Sequence, residues 1–264
     1  MDPRATGPRR SGERVEQIVA PAPVPADVGI VAALPLEVGD LVDRLGRVRT
    51  YQAASLSVIE GEHHDKVVAI VVGGVGCAAA RRATELLLAG HRPSWIIAAG
   101  FAGALNPGIG RNELVLPDEV IDREGRRFRV EAVESLGAGV RHVRGRLLTV
   151  DRPILESRAK AELYQSFQAD LVDMESSAVA AVCAERLVRF LGVRVISDEA
   201  QSDLPPEVAT LLARSGSYRV GAALRAVWNR PSSLKDFWTL HQRAIEAADR
   251  LAKFLALCLD QLPG

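Results

Sequence analysis

The sequence predicts an α/β fold, a mixed and largely parallel sheet covered by helices on both faces. Short runs such as "VGIVAA" and "SWIIAA" are apolar without alternation, as strands buried on both sides are. Helical stretches separate these runs through most of the chain, the order that builds strand–helix–strand units. Candidate functional residues stand just past the carboxyl ends of four runs, where sheets of this kind bind ligands.

Taken in order, residues 1–26 are rich in Pro and Arg and read as a disordered tail, leaving 27–264 as a single domain. A strand is expected at "DVGIVAAL", then a helix over "PLEVGDLVDRL" with Pro35 in its first turn. "SLSVIEGEHHDKVVAIVVGGVG" reads as two strands around a polar turn, ending in glycines. The Ala-rich stretch 77–93 is a helix closed by Gly90 and Pro93. "SWIIAAGFAGAL" reads as a strand followed by a glycine turn, and "NELVLPDEVI" and "GRLLTV" as further strands. A helix is expected to begin at Pro153. "ADLVDM", a helix from Glu175 to Arg186 and "GVRVISD" form a strand–helix–strand unit. Apolar residues at three- and four-residue spacing make the last stretch one long helix.

Composition excludes several classes. Of 264 residues, 33 are basic and 33 acidic, so no global field draws in nucleic acid or an anionic membrane. No run of about 18 apolar residues is available to span a bilayer, and the opening stretch lacks the apolar segment of a signal peptide. A cytoplasmic protein is the expectation. Cys77, Cys183 and Cys258 have no CxxC spacing and read as small buried hydrophobes. His63 and His64 are adjacent with no third ligand at a metal-like spacing, so neither a metal nor a cofactor is expected.

Acids in apolar surroundings carry the chemical signal. Glu37, Glu175 and Asp198 interrupt stretches that otherwise read as interior, and an interior holds carboxylates when they are paired or used. Asp198, preceded by Ser197, ends an apolar strand where a carboxyl can donate a proton near neutral pH. Glu175 can accept hydrogen bonds from vicinal hydroxyls while Met174 packs on a sugar face. Glu37 suits a general base on water, and Arg194 is an available partner for either of the other two acids. "VVGGVG" either turns the chain tightly or presents amides to a ligand, and "AAGFAGAL" allows close approach to the main chain.

Four motifs in order, "VGIVAALPLEV", "GGVGCAAARRATELLLAGHRPSWIIAAGFAGAL", "VDMESSAVAAVCA" and "VRVISDEA", give the chain a further reading. Over about residues 28–203 it resembles the purine nucleoside phosphorylase superfamily, closest to the nucleosidase branch and, toward the C-terminus, to hopanoid-associated phosphorylases. The resemblance implies a three-layer α/β/α sandwich around a mixed, partly barrel-like sheet. It also implies cleavage of a purine nucleoside's N-glycosidic bond by water or inorganic phosphate. Asp198 with Ser197 would then protonate the purine, Met174 and Glu175 hold the ribose, and Glu37 position the nucleophile. The same mapping puts Phe101, Ala102, Gly103, Ile154 and Arg194 on the substrate and implies a homodimer or larger homo-oligomer. Two positions depart from the pattern: Phe101 stands where a hydroxyl residue is common, and Pro153 with Ile154 where nucleosidases tend to have an aromatic. Trp228, Phe237 and Trp238 would either line an opening for a lipid-linked adenosine or form a helix's core stripe. The reading from a different class is a non-catalytic nucleoside- or lipid-nucleoside-binding protein of the same fold.

Overall fold

The computed structural model describes residues 23–205 and 234–263. Trp228 and the side chains of Phe237 and Trp238 lie outside the described residues. Ten strands form one mixed sheet. In chain order these are β1 (Val28–Ala32), β2 (Gly46–Ala53), β3 (Leu56–His63), β4 (Lys66–Val72) and β5 (Trp95–Ala104). They continue with β6 (Leu114–Ile121), β7 (Arg127–Arg129), β8 (Val143–Thr149), β9 (Leu171–Asp173) and β10 (Arg189–Asp198). The path β10–β6–β8–β9–β5 closes on itself because β5 also pairs with β10, giving a five-stranded barrel. From β5 the sheet extends outward through β1, β4, β3 and β2. The expected parallel pairings are present between β1 and β4, β1 and β5, and β5 and β10.

Helices flank the sheet in two groups, which gives the layering that the sequence predicts. Helices α2 (Cys77–Gly90) and α4 (Ser176–Arg186) pack on each other. The last helix, α5 (Leu234–Gln261), lies against β10 and the short α1 (Gly39–Val42), and α3 (Ser157–Phe167) precedes β9. Among the described residues no helix is long and apolar enough to cross a membrane. The cysteines are free, with Cys183 and Cys258 buried and Cys77 half-buried.

Several elements differ from expectation for identifiable reasons. The "AGFAGAL" stretch is no turn: β5 runs unbroken to Ala104, because β10 pairs with it as far as Gly103. The helix expected over 35–45 is a single 3₁₀ turn at Pro35–Glu37 followed by the four residues of α1. There the Glu37 side chain folds back on the amides of Ala33 and Leu34 instead of facing outward from a helix. Helix α3 starts at Ser157, not Pro153, and Asp203 accepts the Ser157 amide at 2.7 Å, a cap from elsewhere in the chain. Residues 23–26, assigned to the tail, lie against the body: Ala26 is buried and its amide donates to the His91 carbonyl. His63 and His64 do have a third neighbour, since Asp260 Oδ1 on α5 lies 2.8 and 2.9 Å from their ring nitrogens. No local spacing reveals a partner almost two hundred residues away.

Candidate active site

Strand β5 is where the outer sheet and the barrel meet, and its hydrogen bonds explain where the cavity lies. On one edge it pairs with β1 as far as Ala98, then with β9 from Gly103 onward. The intervening residues have no strand partner on that side. Glu37 occupies the gap: its Oε1 accepts the Phe101 amide at 3.0 Å, and its Oε2 accepts those of Ala33 and Leu34 at 2.9 and 2.8 Å. Such a split between neighbouring strands is the usual ligand crevice of an α/β sheet. The carboxylate comes so near the strand that a Cβ at Gly100 would sit 2.5 Å from Oε1, which accounts for glycine there. Burial pushes the Glu37 carboxyl above its ordinary range, although three amides and the Arg194 charge pull it back.

Glu175 reaches the same crevice from just past the carboxyl end of β9, as expected from its place after an apolar run. Strand β9 is parallel to β8, Asp173 pairing with Thr149, and antiparallel to β5. It starts at the carboxyl end of β5, beside Ala104, and its three residues carry the chain back toward Glu175. There Oε1 accepts the Gly76 amide at 2.7 Å, and Oε2 lies 3.2 Å from the Met174 nitrogen. Gly74 and Gly76 have positive φ, so "VVGGVG" both turns the chain and gives an amide to the site. Burial, then the charges of Asp173 and Glu37, push the Glu175 carboxyl up to about 8.

Asp173 and Arg194 fix this region from below. Arg194 is buried, and its guanidinium donates to Asp173 Oδ2 at 2.7 Å, to Ser176 Oγ at 2.7 Å and to the Ala98 carbonyl at 2.9 Å. Asp173 also accepts the Thr149 hydroxyl and the Ser176 amide, which opens α4 directly after Glu175. Arg194, expected on the substrate, is therefore committed to the protein. It borders a small void shared with Glu37 and Glu175.

Asp198 ends β10. Its Oδ1 lies 2.6 Å from Ser197 Oγ, which in turn is 3.2 Å from the Ala102 carbonyl. Lys160 Nζ donates to Oδ2 at 2.6 Å. Gly103 packs against this carboxyl, and a Cβ there would lie 3.0 Å from Oδ2.

One cavity of about 250 Å³ brings together Glu37, Phe101, Ala102, Gly103, Ile154, Met174, Glu175, Ser197 and Asp198. Of the ten described residues assigned from sequence to catalysis or substrate, nine are on its wall and Arg194 is not. Asp173, Leu204 and Ala244 also line it and were missed. Leu204 and Ala244 come from the C-terminal stretches likened to the hopanoid-associated branch, in which no wall residue was picked out, whereas Asp173 precedes Met174 inside a quoted motif and was overshadowed by its neighbours. Among the described residues on this wall there are four carboxylates and no Lys, Arg or His.

Comparison with known proteins places this architecture. The profile of the Phosphorylase superfamily matches residues 27–260. The chain is 25% identical over 217 residues to the 5′-methylthioadenosine/S-adenosylhomocysteine nucleosidase of Shewanella loihica, covering 72% of this chain and 94% of that protein. It is 29% identical over 199 residues to the nucleosidase of the same name from Baumannia cicadellinicola, covering 66% and 87%. The crystal structure of the Neisseria meningitidis nucleosidase with methylthio-immucillin-A superposes with a TM-score of 0.69 at 20% identity, covering 89% of this chain and 99% of that one. With a closed five-stranded barrel, flanking helices and a family match across nearly its whole described length, the chain belongs to the phosphorylase superfamily.

Proposed function

We propose that the protein is a nucleosidase that hydrolyses the N-glycosidic bond of an adenosine-type nucleoside, with water as nucleophile. The observation that carries this is Glu37, held in the crevice by three backbone amides with a lone pair of Oε1 left for a water molecule. A phosphate dianion would meet the Glu37 carboxylate with no cationic side chain on the described wall to offset it. Water meets no such barrier, and a sugar that becomes oxocarbenium-like gains stabilisation from the acids around it. The nucleosidases named above are the relatives that support the substrate class.

The geometry supports a division of labour among these residues. Asp198 donates a proton to the leaving purine, whose anion leaves poorly without one. Ser197 orients that carboxyl. Glu175 engages the ribose hydroxyls with Met174 packed beside it. Glu37, with Oε2 taking two amides and Oε1 one, keeps a lone pair on Oε1 to hold and deprotonate the water. Along β5 the residues that touch Glu37 and Asp198, Gly100 and Gly103, are about 10 Å apart, room for a sugar and base between them. Val150, Ile154, Met174 and Leu204 make much of the remaining wall apolar, suited to a 5′ substituent without charge.

Incubation with adenosine, 5′-methylthioadenosine, S-adenosylhomocysteine and a long-chain 5′-alkylthioadenosine, with and without phosphate, tests the reading by chromatography of released adenine. Release without phosphate is expected from at least one thioether, and an absolute need for phosphate would overturn the choice of water. Asp198→Asn should lower kcat by about 10²- to 10⁴-fold with affinity for the nucleoside retained. A protein that binds these compounds and releases nothing is instead the non-catalytic relative.

A further inference from the structure

Lys160 is fully buried, an unusual place for a lysine, yet it lines no part of the cavity. On α3 it holds the core-facing place of an amphipathic stripe completed by Leu163, Tyr164 and Phe167, at i, i+3, i+4 and i+7. Its Nζ has three acceptors: Asp198 Oδ2 at 2.6 Å, the Glu199 carbonyl at 2.8 Å and the Ser202 carbonyl at 2.9 Å. Three acceptors match the three N–H donors of an ammonium, whereas a neutral amine would aim its lone pair at an oxygen. Lys160 is therefore an ammonium, shielded from water and bound both to Asp198 and to the segment that follows β10. That segment is tied to α3 again where Asp203 accepts the Ser157 amide and the Leu155 carbonyl accepts the Leu204 amide.

We propose that Lys160 is the positioning residue for the purine acid, fixing Asp198 through Oδ2 and stabilising the carboxylate left when the proton departs. The inference rests on the nucleosidase reading. The proton that reaches the base is carried on Oδ1, taken up from cavity water before the step, because an O–H on Oδ2 would face the ammonium's own N–H. Ser197 donates to one lone pair of Oδ1 and leaves the other to carry the proton toward the cavity. As the glycosidic bond breaks, its electron pair stays with the base, the Oδ1 proton moves onto the base, and the new carboxylate meets a fixed positive charge. Lys160 keeps its three protons throughout. The other titratable groups around the pair are Asp203, which feels the Lys160 charge, and Glu37, Asp173 and Glu175 on the cavity wall. Strand β5 offers only Gly103 and the Ala102 carbonyl, and the Glu199 carboxylate turns away to the Arg111 amide.

The test compares Lys160→Met, Lys160→Gln and Lys160→Arg by kcat, KM and the pH profile of adenine release. It adds the carbon-13 carboxyl titration of Asp198 in the substrate-free protein. Without the contact that fixes Oδ2, Lys160→Met should lose roughly 10²-fold in kcat while KM changes far less. Its alkaline limb should move up by about one pH unit or more, as should the Asp198 titration. Lys160→Arg should keep the limb near that of the wild type. Lys160→Gln, which still donates to the carbonyls, should show the same upward shift as Lys160→Met and serves where the methionine variant does not fold. Lower thermal stability with an unmoved limb and an unmoved Asp198 titration in every folded variant would overturn the proposal. If the wild type releases no base from any nucleoside, the nucleosidase reading fails, and the carboxyl titration alone decides whether Lys160 governs Asp198.

Discussion

Glu175 holds its proton more tightly in the folded chain than an exposed glutamate does. Its carboxyl is pushed from an ordinary 4.5 up to about 8 by burial and by Asp173. Because the folded value lies above the unfolded one, its contribution to stability is complete below about pH 4.5 and is lost as pH rises through about 8. Glu175→Gln removes that dependence. Relative to wild type, the ligand-free variant should gain stability between pH 5 and pH 8 by roughly 1–2 kcal/mol, read from urea titrations at the two pH values. A difference that is the same at both would contradict this. At this scale the sequence was readable where an acid broke an apolar run, as Glu37, Glu175 and Asp198 do. Lys160 escaped because a lysine in a helix ordinarily faces water, and only its register with Leu163, Tyr164 and Phe167 shows otherwise. Arg194 was assigned to the substrate because a sequence does not show that Asp173, two residues before Glu175, is the nearer acid.

Elements hold these residues through a few buried contacts that join distant parts of the chain. Arg194 on β10 clamps Asp173 of β9 and Ser176 of α4, and both partners of the ion pair are almost entirely shielded. Arg194→Met leaves Asp173 charged and unpaired in the interior, so unfolding should become easier by about 3–5 kcal/mol in denaturant titrations. The double change Arg194→Met with Asp173→Leu should recover much of that loss, and a double variant no more stable than the single one would assign the effect to the missing guanidinium's packing. Element types were mostly legible from apolar runs and spacing. Their ends were not, since the start of α3 is set by Asp203 and the end of β5 by β9 and β10. Strands β2 and β7 went unseen: one is mostly exposed or half-buried along its length, the other has three residues.

At the scale of the whole molecule, alternation of strands and helices was enough to predict a mixed sheet with helices on both sides, while closure of the barrel came only through family resemblance. Closure depends on β5 pairing with β10 at one edge and with β9 at the other, a fact of register that no local pattern encodes. Anchoring of α5 is likewise long-range, through Asp260 to His63 and His64 and through the Pro263 carbonyl to the Trp95 indole.

The parallel pairing of β5 with β10, from Trp95 opposite Arg189 to Gly103 opposite Asp198, also has a consequence in time. Every piece of the site waits on contacts between remote residues: Phe101 with Glu37, Gly76 with Glu175, Lys160 with Asp198. Closing such large loops is slow, so a collapsed chain with its helices formed should still be catalytically silent. In refolding from urea, adenine release should return with the slowest phase, behind far-ultraviolet circular dichroism. Activity that returned with the first phase would mean that the site assembles before the barrel closes.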